Sequence, residues 1–203
     1  MIAIVDYGVG NLFSVKRSFD AIGAETVVTS DEKVIRAADR ILLPGVGAFE
    51  DAANKLRESG LDKVITEEVK KGKPLLGICL GMQLLFEKSY EFGCHRGLSL
   101  IPGEIRPIAD TIKGNLKIPH IGWNALSVKD KTNPLLKYVN DGDCVYFVHS
   151  YYAVTDKKYI LADTEYSAPI TAAASCGNVY GCQFHPEKSG KVGLNILKAF
   201  CEV

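Results

Sequence analysis

Apolar positions in the first half of the chain come in short runs, each closed by glycine or proline and separated by stretches of helical spacing. Ile2-Ala-Ile-Val5 stops at Asp6-Tyr-Gly-Val-Gly10. Leu12, Val15, Phe19 and Ile22 then recur on one helical face behind Asn11, a good N-cap. Gly23 ends that helix. Glu25 to Thr29 reads as a second strand, and a short helix follows from Ser30 or Asp31 to about Ala38. Arg40 to Pro44 is a third strand, closed by Gly45-Val-Gly47. Helical patterns cover roughly 49–59 and 61–71, Pro74 to Ile78 is a fourth strand, and Leu80 to Glu87 a further helical stretch. Apolar strands alternating with helices predict a parallel sheet covered by helices on both faces.

From about residue 98 the signal changes to clustered strands. Ser99–Ile101, Lys117–His120, Ala125–Val128, Cys144–His149, Tyr159–Ala162, Ile170–Ser175 and Val179–Phe184 are expected strands, with one helix near Pro134–Val139. They predict an antiparallel extension of the parallel sheet. A last helix is expected over Ser189–Cys201, with Val192, Ile196, Leu197 and Phe200 on one side. The fold class is therefore α/β, in one domain spanning 1–203. No repeat or linker-like tract breaks the chain.

Composition narrows this picture. The 24 basic and 24 acidic residues balance, which argues against a broad nucleic-acid footprint. No stretch approaches the length of a membrane span, and the N-terminus lacks the features of a signal peptide. A reducing cytosol is the expected compartment, which leaves the six cysteines (79, 94, 144, 176, 182 and 201) as free thiols. None forms a C-x-x-C pair, and neither a metal nor a cofactor is expected.

Gly77-Ile-Cys79-Leu-Gly81 lies between a predicted strand and a predicted helix. It is the nucleophile-elbow pattern with Cys in place of Ser. Flanking side chains would collide with the neighbouring strand or helix. The turn exposes the sulfur at a helix N-terminus, which favours the thiolate. The alternative is a buried Cys in a Gly-rich turn. Gln183-Phe-His185-Pro-Glu187 ends the last predicted strand. His185 supplies a base. Glu187, two residues on along an extended segment, faces the same side and can orient the imidazole. Alone, this would be an exposed turn; beside a Cys elbow it completes a triad. Leu43-Pro-Gly45-Val-Gly47 can turn backbone N–H groups into an anion nest, which with the N–H of Leu80 would face a developing oxyanion.

Other signals are weaker. Gly8-Val-Gly10 starts a dinucleotide fingerprint, but Phe13 occupies its third small position. His95 and His120 read as structural or surface histidines. Cys182 and His185 have a metal-like spacing without further ligands. Phe147–Tyr152 suits a substrate wall or an ordinary strand end.

Taken together, Gly77–Gln83, Pro44–Gly47 and His185–Glu187 resemble the class I (triad) glutamine amidotransferases nearly end to end. Asp6–Asn11, Pro119–Asn124, Tyr146–Tyr151 and Gln183–Ser189 resemble, more narrowly, the glutaminase subunits of imidazole glycerol phosphate synthases. The resemblance implies hydrolysis of L-glutamine by Cys79, His185 and Glu187. The oxyanion would lie against the N–H groups of Leu80 and of Val46 or Gly47. Gln83, Glu91, Ser150 and Tyr151 would bind substrate. It further implies a heterodimer with a (β/α)8-barrel cyclase in histidine biosynthesis, with Asn11, Trp123 and Lys188 near the interface. The competing readings are a glutaminase serving sugar amidination or pyridoxal phosphate synthesis, a non-catalytic regulatory subunit, and a cysteine peptidase. The Gly-Trp-Asn segment disfavours pyridoxal phosphate synthesis. The intact triad disfavours the regulatory subunit, and Gln83 and Glu91 favour a free amino acid over a peptide.

Overall fold

The computed structural model describes residues Met1–Val203. The first half runs β1 (Ile2–Val5), α1 (Leu12–Ala21), β2 (Thr26–Thr29), α2 (Glu32–Ala37), β3 (Arg40–Leu43), α3 (Phe49–Glu58), α4 (Leu61–Lys70), β4 (Leu75–Ile78) and α5 (Leu80–Leu84). The second half runs β5 (Lys88–Ser89), β6 (His95–Arg96), β7 (Glu104–Pro107), β8 (His120–Val128), β9 (Cys144–His149), β10 (Tyr151–Val154), β11 (Ile160–Glu165), β12 (Pro169–Cys176), β13 (Val179–Cys182) and α6 (Gly190–Cys201).

One large sheet carries the order β2-β1-β3-β4-β13-β12-β11-β8-β9. The pairs from β2 to β13 are parallel, and those from β13 to β9 antiparallel. This is the expected parallel sheet with its antiparallel extension. The inner strands β1 and β4 are apolar because both faces are buried, whereas the edge strand β2, Thr26–Thr29, is only half-buried. Ala3 and Val5 of β1 point into a core with Ile35, Phe49, Leu56 and Ile65, from α2, α3 and α4. Ile2 and Ile4 point the other way, onto Val15, Phe19, Ile196 and Phe200 of α1 and α6. Each fully buried aromatic of this kind contributes about 1.5–3 kcal/mol by removal from water.

The second half departs from expectation in several places. A separate four-stranded sheet, β10-β7-β5-β6, was not foreseen. Ser99–Ile101 is not a strand. The N–H groups of Leu98, Ser99 and Leu100 bond to the carbonyls of Leu84, Phe86 and Leu85 at the end of α5, and Ile101 is apolar because it is buried there. Helix α5 stops at Leu84, short of Glu87, as the next N–H groups bond three residues back. Lys117–His120 and Ala125–Val128 are not two strands. Pairing begins at His120, just after Pro119, which has no N–H to give, and runs unbroken to Val128. The segment near Pro134 is a short 3-10 turn, and β11 and β13 each end away from their expected limits.

The parallel strands β1, β3, β4 and β13 end on one edge. Tyr7, Pro44–Gly47, Cys79 and His185 follow them directly. In open α/β sheets this carboxyl edge is where ligands bind.

Candidate active site

Cys79 sits between β4 and α5 with φ +54°, a conformation that L-residues rarely adopt. The two flanking glycines make it possible. A Cβ on Gly81 would stand 1.9 Å from the Leu43 carbonyl oxygen, and one on Gly77 would stand 2.7 Å from the carbonyl of Gly81. The elbow is fixed from behind by a 2.8 Å hydrogen bond from the Cys79 N–H to the Cys182 carbonyl. Of the six free thiols only Cys79 lines the cavity at this edge. Cys182, fully buried, is driven well above the ordinary thiol range by its burial and by the charge of Glu187, so it stays protonated.

His185 stands beside Cys79. Its Nδ1 is 2.7 Å from Oε1 of Glu187, and both side chains are buried. Burial opposes charging the imidazole. Hydrogen bonds with Cys79 and Glu187, and their negative charge, outweigh it and raise His185 to about 9. The contact is the one expected, but its backbone is not. Pro186–Lys188 forms a 3-10 turn, so Glu187 reaches His185 by curling back rather than by strand alternation. Ser189 pins this turn, donating 2.6 Å to the His185 carbonyl while accepting 3.0 Å from the Tyr146 N–H.

Val46 and Gly47 bring the Pro44–Gly47 loop to the cavity beside the elbow. The buried Tyr7 hydroxyl donates 2.8 Å to the Pro44 carbonyl, and burial holds that phenol protonated beyond its usual range. A Cβ on Gly45 would fall 2.7 Å from the Gly81 N–H nitrogen, so the loop packs directly on the elbow. Gly47 has φ +96°.

The cavity has a volume of about 560 Å³, within the range of small-molecule sites. Val46, Gly47, Leu80, Gln83, Glu91, Ser150, Tyr151 and Lys188 all line it with Cys79 and His185. Glu91 also has a structural duty. Ala48, at the start of α3, offers no side-chain cap, and Glu91 Oε2 accepts the Phe49 N–H at 2.5 Å instead. Asn11 and Trp123 lie outside the cavity. Asn11 caps α1 by accepting from the Ser14 N–H at 3.2 Å. Trp123 is 58% exposed and packs edge-on against Tyr146, whose ring also carries the Lys188 ammonium.

Two histidines meet here: His120, read as structural or surface, and His149, within the segment read as a substrate wall or strand end. His120 is buried between the rings of Phe147 and Tyr166, and its Nδ1 lies 3.1 Å from Nε2 of His149. His149 lines the cavity and donates from Nδ1 to the Tyr151 carbonyl at 2.9 Å. Alternation along β9 buries Val145, Phe147 and His149 on one face, a signal the sequence carried. Phe92, 87% exposed at φ +53°, completes the cavity rim and left no sequence signature.

Comparison with known proteins identifies the family. The family model described as glutamine amidotransferase class-I matches residues 3–202. An imidazole glycerol phosphate synthase subunit HisH from Caldanaerobacter subterraneus subsp. tengcongensis is 50% identical, over 100% of this chain and 98% of that protein. One of the same description from Lactococcus lactis subsp. lactis is 50% identical, over 99% and 98%. Among solved structures, a glutamine amidotransferase superposes with TM-score 0.77 at 16% identity, over 100% of this chain and 98% of that one. PurLQS from Thermotoga maritima gives 0.75 at 18% identity, over 99% and 97%. At such identities the structures attest the fold. The family follows from the sequence matches: the chain belongs to the class-I glutamine amidotransferases, in the group of imidazole glycerol phosphate synthase HisH subunits.

Proposed function

We propose that residues 1–203 form one glutaminase domain that hydrolyses L-glutamine to glutamate and passes the ammonia to a (β/α)8-barrel cyclase. That partner makes imidazole glycerol phosphate and aminoimidazole carboxamide ribotide in histidine biosynthesis. The two work in the cytoplasm as a heterodimer. The observation that carries this reading is the Cys79 sulfur beside a buried His185–Glu187 pair, in a cavity that Gln83 and Glu91 also line.

The Cys79 sulfur attacks the side-chain carboxamide carbon while His185 takes the thiol proton. The carbonyl oxygen becomes an oxyanion against the N–H groups of Leu80 and of Val46 or Gly47. As the C–N bond breaks, His185 returns the proton to the leaving nitrogen, which departs as ammonia. Water, deprotonated by His185, then cleaves the thioester to glutamate and restores the thiol. Glu187 holds one imidazole nitrogen protonated and stabilises the imidazolium. Glu91 meets the substrate ammonium, Gln83 binds the substrate, and Ser150 and Tyr151 line its backbone groups.

Beside the cavity, sharing Pro119 with it, runs a groove edged by Leu116, Ile118 and Ile121, all exposed. With Trp123 these form an apolar face that suits a protein partner. Asn11 and Lys188 are assigned to the same side, as α1 packs on the turn that bears Lys188. The test is glutamate release with and without the cyclase and its nucleotide ligand. Release should be low alone and rise on addition. Full turnover by the isolated chain contradicts coupling to a partner.

A further inference from the structure

The chain contains two glutamines, Gln83 and Gln183, and they bond to each other beside the nucleophile. Gln183 follows β13 and is 0% exposed, its N–H tied to the Ala172 carbonyl at 2.8 Å. A buried primary amide of this kind needs partners. Gln183 has them on both ends. Its Oε1 accepts from Gln83 Nε2 at 3.0 Å, and its Nε2 lies 3.8 Å from the Cys79 sulfur.

The orientation of both amides is forced by one atom. The Tyr151 carbonyl can only accept, and it faces Gln83 at 3.1 Å and His149 at 2.9 Å. The Gln83 group turned toward it must therefore be the NH2. The second N–H of that NH2 points at Gln183, so the Gln183 atom there must be oxygen, and its nitrogen falls on the sulfur. Both N–H bonds of Gln83 are then used, which leaves its oxygen for the cavity.

We propose that Gln183 is a further member of the reaction centre, donating from Nε2 to the Cys79 sulfur and locking Gln83 so that its oxygen faces the substrate. A donor to sulfur stabilises the thiolate before attack. An oxygen presented by Gln83 accepts from an N–H of the bound amino acid and rejects a carboxylate oxygen there. The second consequence rests on the glutaminase reading; the first does not.

The test uses the full chain and needs no turnover. Labelling the glutamine side-chain amides with nitrogen-15 yields only two NH2 groups. Alkylation with iodoacetamide, followed site by site by mass mapping because the exposed Cys94 and Cys144 also react, should on reaching Cys79 shift both proton resonances of one of them, Gln183, more than those of Gln83. The Gln183→Met variant keeps the size and removes the donor. At neutral pH its Cys79 should alkylate about tenfold more slowly, the size of one hydrogen bond to a charged atom, and its alkylation midpoint should move to higher pH. Its KM for glutamine should rise as Gln83 loses its lock, whereas a merely structural Gln183 would leave the alkylation profile unmoved. An unchanged profile in folded Gln183→Met overturns the proposal. Should that variant fail to fold, amide resonances in the parent that ignore Cys79 alkylation overturn it equally. Resonance and alkylation shifts in a chain that hydrolyses no glutamine would support the sulfur contact and remove only the glutaminase reading.

Discussion

Gly81 and the Leu43 carbonyl are in such close approach that a single added Cβ would lie 1.9 Å from the oxygen. Strand β3 and the turn that carries Cys79 are thus held backbone to backbone. The obstacle is main chain, so no rotamer change relieves it. Gly81→Ala should therefore cost more than the ~1–3 kcal/mol of ordinary overpacking. Denaturant unfolding checks this, and an unchanged midpoint would show that the elbow is not packed as described.

The charge on His185 sets an alkaline limit. Its pKa is raised to about 9 despite burial, by the hydrogen bonds and charges of Cys79 and Glu187. The stabilisation this brings is complete below the unfolded value near 6.5 and is lost as pH rises through about 9. Glutamate release should fall over the same upper range. Glu187→Gln removes a charge that favours the imidazolium, so the alkaline limb of the pH–rate profile should move to lower pH. A limb that stays in place would exclude Glu187 from that role.

His149 has the opposite sign. Burial first, then the charges of His120 and His185, lower it to about 4 against a favourable bond to the Tyr151 carbonyl. Burial lowers its neighbour His120 as well. Stability from the neutral His149 is present above about 6.5 and lost as pH falls toward about 4. A shift of this size corresponds to up to roughly 3 kcal/mol. The parent should lose stability steeply over that interval, and His149→Gln should flatten the loss. Thermal unfolding across pH measures both, and parallel curves would contradict the assignment.

Glu91 divides into two separable duties. Glu91→Ala removes both the cap on Phe49 and the charge assigned to the substrate ammonium, so it should cost about 1 kcal/mol and also raise KM. Glu91→Gln keeps an acceptor for the Phe49 N–H, so its stability should stay near the parent while KM still rises. Equal stability loss in both variants would show that the cap needs the charge.

The parallel half was legible because each strand is a short apolar run with a glycine or proline stop. The elbow glycines, Gly77 and Gly81, announced their steric purpose before any geometry was known. The small sheet was not legible, since Lys88–Ser89 and His95–Arg96 are two residues each and carry no period. Ser99–Ile101 looked like a strand because apolar composition reports burial, and burial there comes from packing at the end of α5. The His185–Glu187 contact was expected for the wrong backbone, as Pro186 begins a tight turn rather than rigidifying a strand. Gln183 lies 104 residues from Cys79, and only the β4–β13 pairing brings the two together.

The central claim is that Cys79 is the nucleophile, and the presence of six free thiols makes a sharp test possible. Cys94 and Cys144 are exposed, so a merely reactive reagent would modify them first. A glutamine-derived electrophile followed by mass mapping should place the label on Cys79 alone, with glutamate release lost in proportion to labelling. Label on any other cysteine, or full glutamate release from chains labelled at Cys79, would contradict it.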